Sequence, residues 1–230
     1  MSVYAYLEKP SMVDYPGRFA AVFFTSGCNF RCGFCHNATL MGRQQAALSW
    51  EQLAEAATRF KNNWVNGVVI TGGEPTCSDD LVDLIRFFKE RFGFAVKLDT
   101  NGANPDRLAE CIPLVDYVAM DIKTGLSGYS DLVGFADTDK IQRSIDLIRT
   151  QAKEYEFRTT VIESVHTDAL MDEAAESIRG SKRYVLQAFI PRDDLPGVRF
   201  RTLPRTTSAR LHQLKDRMAG CADEILLRGA

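Results

Sequence analysis

Three cysteines stand within eight residues, Cys28-Asn-Phe-Arg-Cys32-Gly-Phe-Cys35, a spacing that marks a metal-binding loop. Thiolates are the soft donors that iron–sulfur clusters take. Three of them on a four-iron cubane leave one iron without a protein ligand, and that iron is open to a substrate or cofactor. Zinc is the rival occupant and would want a fourth ligand. Cys35 and His36 are adjacent and cannot easily both point at one metal, which leaves Cys77, Cys111 or Cys221. Those three otherwise read as small buried hydrophobes. The second group is Gly72-Gly73-Glu74-Pro75. Its glycines permit close backbone approach, and Glu74 is suited to accept from a ligand's ammonium. Alone it would read as a turn; one βα unit after the cysteine loop, it says more.

Strands alternate with helices along the chain, and the alternation decides where these groups lie. Apolar runs predict strands over Ala21 to Thr25, Val68 to Ile70, Ala95 to Asp99, Tyr117 to Ile122, Phe157 to Ile162 and Tyr184 to Ile190, with a further strand at Glu224 to Leu227. Ser49 and Gln52 form a capping box for a helix through Leu53, Ala57, Phe60 and Trp64. Ser78 is placed to cap a second helix through Phe88. Further helices are expected after Pro105 and over residues 138–153, 168–179 and 207–219. Six βα units in succession predict an α/β fold with parallel strands and right-handed crossovers, a barrel or half-barrel of the (β/α)6 kind. Ligands of such sheets sit at the carboxyl ends of the strands. The unusual residues gather there: cysteines after the first strand, Gly-Gly-Glu-Pro after the second, Asp99-Thr100-Asn101-Gly102 after the third and Asp121-Ile122-Lys123 at the fourth.

The 230 residues suit one domain of this type. A net charge of −2 gives no reason to expect binding to nucleic acid or to an anionic membrane. No stretch approaches the ~20 apolar residues of a membrane helix. Residues 1–17 are broken by Glu8, Lys9, Pro10 and Asp14 and lack a signal-peptide core. A cytoplasmic location follows, and the clustered thiols suit its reducing conditions.

Cys-x3-Cys-x2-Cys with Phe34 before the last cysteine, followed by Gly72-Gly73-Glu74-Pro75, resembles the radical S-adenosylmethionine (SAM) superfamily. The resemblance covers about residues 13–191. It implies one radical SAM domain over 1–230, a partial TIM-type barrel, with a C-terminal helix and strand in 205–228. It also implies a [4Fe–4S] cluster on Cys28, Cys32 and Cys35 whose open iron is chelated by SAM. One electron then cleaves the sulfonium and yields a 5′-deoxyadenosyl radical.

Asp14-Tyr15-Pro16-Gly17, Cys35-His36-Asn37, Leu98-Asp99-Thr100-Asn101-Gly102 and Asp121-Ile122-Lys123 are similar to the activating enzymes of glycyl-radical enzymes, above all those of anaerobic ribonucleoside-triphosphate reductase. In the formate-lyase branch of that group the equivalents of Asp99, Thr100 and Asp121 are associated with a cation, monovalent or divalent, near the SAM carboxylate. The equivalents of Lys123 and Arg158 contact SAM or the peptide. Phe34, Gly72, Gly73, Glu74, Pro75 and Asn101 complete the cofactor surface that the resemblance implies, and His36 is a packing residue. The sixth strand lacks a histidine that the formate-lyase branch carries there, leaving Gln187 or Phe189 to fill the adenine space. The implied activity is formation of a glycyl radical on a partner enzyme, with a flavodoxin- or ferredoxin-type electron donor. Alone, the chain is expected to be a monomer. Rival readings are a pyruvate formate-lyase-type activase, a 7-carboxy-7-deazaguanine synthase-like enzyme, a peptide- or RNA-modifying relative, or a non-catalytic metal-binding protein.

Overall fold

Hydrophobic runs that are apolar on both sides should form strands covered on both faces, and such strands line up in parallel in the middle of the sheet. A computed structural model describes residues 2–42 and 47–229. Its strands are β1 (Val3–Tyr6), β2 (Ala20–Thr25), β3 (Gly67–Gly72), β4 (Ala95–Thr100), β5 (Tyr117–Asp121), β6 (Tyr155–Val161), β7 (Ser181–Ala188) and β8 (Ala222–Arg228). They form one sheet in chain order; β2 to β8 run parallel and β1 is antiparallel to β2. Among the described residues β8 does not pair with β1, so the barrel is partial and open. The predicted final strand is therefore a seventh parallel strand. β1 is the strand that pattern reading missed, because four residues carry too little periodicity and its place comes from pairing with β2.

The helices are α1 (Trp50–Asn62), α2 (Leu81–Arg86), α3 (Pro105–Cys111), α4 (Tyr129–Val133), α5 (Thr138–Gln151), α6 (Asp168–Ser177), α7 (Val198–Arg201) and α8 (Ser208–Arg217). α1 starts at the expected capping box, with Ser49 accepting from the Gln52 N–H and Gln52 accepting from that of Ser49. Ser78 does not cap α2: Asp80 holds that position, and the buried Ser78 hydroxyl has no partner. α2 also passes into a wider π turn over Phe87–Arg91 instead of running on unbroken.

The two faces of the sheet differ. The outer face and the helices enclose the main core, including Phe23, Val68, Ile70, Leu98, Val118 and Phe157. The inner face has a much smaller apolar floor of Tyr15, Ala20, Val22, Val69, Tyr117 and Ala119. Strand alternation sends Lys97, Asp99, Asp121, Glu156 and Arg158 to that same inner side. A narrow apolar floor beneath a charged upper lumen is the frame of the site.

Candidate active site

The cysteine loop is fastened to its surroundings mostly by main-chain bonds. The N–H of Gly27 donates to the carbonyl of Leu40 at 2.8 Å, and that of Cys28 to Met41 at 3.0 Å. From the next strand, Gly73 donates to Thr25 at 2.9 Å and Glu74 to Gly27 at 2.8 Å. This crossing is what requires the glycines. Gly72 has φ of +123°, and a Cβ there would collide with the Thr25 carbonyl, as one on Gly73 would with that of Gly27. The close approach anticipated for a ligand is thus first an approach between the two motifs.

Glu74 makes a second join between the strands. It is 1% exposed, and its carboxylate accepts from the Thr76 N–H (3.1 Å), the Thr76 and Thr100 hydroxyls (2.6 and 2.7 Å) and the Asn101 N–H (2.6 Å). Three of the four donors fall on Oε1 and one, the Asn101 N–H, on Oε2. Glu74 thus ties the ends of β3 and β4 together, and Thr100 joins the same knot. Burial raises the Glu74 pKa, and the donors oppose that rise. Pro75 opens the tight turn that follows. Asn101 reaches the cysteine loop, donating to Asn29 Oδ1 at 2.8 Å with Cys28 Sγ 3.9 Å away.

Phe34 is buried against Phe200, their ring centroids 5.7 Å apart. His36 Nε2 donates to the Ile190 carbonyl at 3.0 Å, a packing role as expected. Phe189 is fully buried and turns into the outer core. Gln187 is half-buried and donates to the Thr160 hydroxyl at 2.6 Å.

The charged lumen is a chain of alternating sign across three strands. Lys97 Nζ meets Asp99 Oδ1 at 2.5 Å, and Asp99 Oδ2 meets Arg158 Nη1 at 3.3 Å. Arg158 Nε meets Asp121 Oδ1 at 2.8 Å, and Asp121 Oδ2 meets Lys123 Nζ at 2.9 Å. Ala119 sits opposite Asp99 in the register, and its methyl leaves Arg158 room to reach across β5. Burial alone would raise both carboxyl pKa values, but Arg158, with Lys97 at Asp99 and Lys123 at Asp121, holds both below the usual range. Three protein cations, Lys97, Arg158 and Lys123, here pair with the two carboxylates on which a cation is expected, Asp99 and Asp121. Lys97, 1% exposed, was missed by sequence reading. Its signal was the alternation Val96-Lys97-Leu98-Asp99, which puts both charged residues on one face.

Cys28, Cys32 and Cys35 are free thiols in one loop. Burial raises the pKa of all three, that of Cys32 to about 12, while the Lys123 ammonium lowers each. The Phe30 N–H donates to Cys28 Sγ at 3.4 Å. Among the described residues no group of three or more His, Cys, Asp or Glu side chains closes on a single metal ion. Three soft donors, an N–H aimed at sulfur and a nearby cation fit a cluster that is anionic and takes three protein thiolates.

An open α/β half-barrel with a thiol loop on its rim defines an iron–sulfur enzyme of the barrel class. The chain belongs to the radical SAM superfamily, whose family model matches residues 22–179. A protein of Methanocaldococcus jannaschii, provisionally described as a glycyl-radical enzyme activating enzyme, is 31% identical over 95% of this chain and 92% of its own length. The pyruvate formate-lyase-activating enzyme of Clostridium pasteurianum is 32% identical over 56% of each chain. In structure, Streptococcus suis SuiB bound to its precursor peptide SuiA superposes with a TM-score of 0.69 at 16% identity over 91% of this chain. The chain spans about half of SuiB, 48% of its length. The family uses a [4Fe–4S] cluster and SAM. No helix among the described residues is long and apolar enough to cross a membrane.

Proposed function

We propose that this enzyme generates a glycyl radical on a partner protein, and that the partner is an anaerobic ribonucleoside-triphosphate reductase. The observation that carries the activity is the match to the archaeal activating-enzyme relative along nearly the whole of both chains. The choice of reductase rests on the resemblance of the Asp99–Gly102 and Asp121–Lys123 segments. When bound, the cluster and SAM supply reductive cleavage to methionine and a 5′-deoxyadenosyl radical, which takes a hydrogen atom from a glycine Cα and leaves as 5′-deoxyadenosine.

The protein's own contribution is placement and electrostatics. Cys28, Cys32 and Cys35 would hold the cluster, with Phe34 packed on Phe200 beside them. The Gly72–Pro75 turn, knotted through Glu74 to Thr100 and Asn101, sets the shape of the rim beside it. The alternating charges of Lys97, Asp99, Arg158, Asp121 and Lys123 give the upper lumen a net positive field suited to a carboxylate such as that of SAM. An acidic one-electron carrier of the flavodoxin or ferredoxin type delivers the electron, and the partner's glycine enters as an extended segment through the open side of the barrel.

The match to the clostridial protein favours a second partner, pyruvate formate-lyase. One experiment separates the two. Anaerobically reconstituted, reduced protein is mixed with SAM and either purified enzyme, and the glycyl radical is read by EPR. A signal on the reductase alone supports the proposal, and a signal only on the lyase replaces it with the second reading. SAM cleavage without a radical on either partner overturns the activase assignment.

A further inference from the structure

The turn that follows β4 is fixed from several sides. The Asn101 N–H donates to Glu74 Oε2 at 2.6 Å, and the Gly102 N–H donates to the Thr100 hydroxyl at 3.1 Å. The Gly102 carbonyl accepts from the buried Ser144 hydroxyl of α5 at 2.6 Å. Gly102 has φ of +76°, and a Cβ there would strike the Met120 side chain. Main-chain groups of residues 101 and 102 are thus tied both to the end of β3 and to α5.

The Asn101 side chain, buried at 6% exposure, inherits that rigidity. Its Oδ1 accepts from the Ala103 N–H at 2.9 Å. This bond settles which end of the carboxamide is oxygen, because an N–H cannot donate to an NH2 group. Nδ2 and its two hydrogens are left facing the cysteine loop. There Asn29 Oδ1 lies at 2.8 Å and Cys28 Sγ at 3.9 Å. The same sulfur takes the Phe30 N–H at 3.4 Å from within its own loop. Cys28 therefore meets N–H groups from two directions.

We infer that Asn101 is a positioning residue for the metal centre: its carboxamide clamps the Cys28–Asn29 corner of the loop and aims an N–H at the Cys28 sulfur, raising the reduction potential of a cluster bound there. Reduction puts more negative charge on the thiolate sulfurs, so an N–H directed at one of them stabilises the reduced form. Two amide hydrogens match two acceptors, Asn29 Oδ1 and Cys28 Sγ. A serine or aspartate could accept from Ala103 and close the same turn. Turn geometry alone does not call for asparagine; the reach to the loop does. The inference rests on Cys28, Cys32 and Cys35 holding the cluster, as proposed above.

The test is an EPR-monitored redox titration of reconstituted wild type, Asn101→Ser, Ser144→Ala and Asn29→Ala. Asn101→Ser keeps an oxygen for the Ala103 N–H, removes both amide hydrogens and is too short to reach the loop. It should lower the equilibrium constant for one-electron reduction about fivefold, a shift of roughly 40 mV to more negative potential. Ser144→Ala loosens the same turn but leaves the carboxamide in place, so its melting temperature should fall while its potential stays near wild type. Asn29→Ala removes the neighbouring acceptor and should shift the potential by less than Asn101→Ser. In the cluster-free protein, NMR should show the Asn101 amide hydrogens protected from solvent exchange, with protection falling in Asn29→Ala. An unmoved potential in Asn101→Ser, or an equal shift in either of the other two variants, overturns the inference while the cluster assignment stands. Wild type that binds no iron or sulfide would overturn both. Should Asn101→Ser hold no cluster, the amide hydrogens decide: free exchange in wild type overturns the clamp, and protection that falls in Asn29→Ala supports it.

Discussion

The rim and the lumen of this half-barrel are built on opposite principles. At the rim, the cysteine loop and the Gly72–Pro75 turn are joined by main-chain bonds from Gly73 and Glu74, with little help from charge. In the lumen, the strands are already paired, and side-chain charges alone form the chain from Lys97 to Lys123. A backbone-made region depends on what side chains are absent, as at Gly73. A charge-made region depends on every member being present, because an orphaned buried ion costs more than the pair gained. Substitutions should therefore fail in different ways in the two places.

The largest effect is chemical. Cys32→Ala should reduce bound iron and sulfide to background and abolish SAM cleavage, as measured by metal analysis and 5′-deoxyadenosine release, while the circular dichroism of the cluster-free protein stays unchanged. Next comes the middle of the charge chain. Arg158→Leu leaves Asp99 and Asp121 with one partner each and should cost roughly 3 kcal/mol in urea denaturation. Gly73→Ala should cost about 2 kcal/mol by forcing apart two crossing backbones. Its signature is a loss of cluster retention with the lumen ion pairs intact. If Gly73→Ala is neutral and Arg158→Leu is neutral too, the contrast between the regions is wrong.

The smallest effect is a slope. His166 lies outside both regions, with Arg210 the charged side chain acting on it, and burial holds its pKa below the usual histidine value. The unfolded chain then binds a proton that the native state refuses, so stability is full above about pH 6.5 and falls as pH drops below it. Urea midpoints of the cluster-free protein between about pH 7 and pH 5 should decline in wild type and flatten in His166→Gln. Asp99 and Asp121 act in a lower window: their stabilisation is present above about pH 4 and is lost on further acidification.

Much of this was readable from residue order. The six expected strands are present with shifted ends, since a strand's limits follow from its neighbours' register while its existence follows from apolar runs such as Val68-Val69-Ile70. The cysteine loop and Gly72–Pro75 were found because their types and spacing are unusual in themselves. What escaped was relational. Nothing local to Glu74 announces that Thr76, Thr100 and Asn101 converge on it. Lys97 drew no reading, because the polar face of an alternating strand is usually solvated, and here it is the inside. Ser78 offered capping chemistry, but the chain starts α2 at Asp80. The segment over Leu126–Gly128 and α4 carries too few residues for a helical period, and its place is set by the cysteine loop it covers.

The crossing of the two motifs has a consequence for how the protein comes into being. Residues 25 and 27 receive their fixed partners from residues 73 and 74, and residue 31 finds its own at 133. While the chain is still leaving the ribosome, the cysteines emerge long before the pieces that shape their loop. Iron and sulfide delivered at that moment would meet an unformed nest. Maturation of the metal centre is thus a late event, to be timed against completion of the barrel.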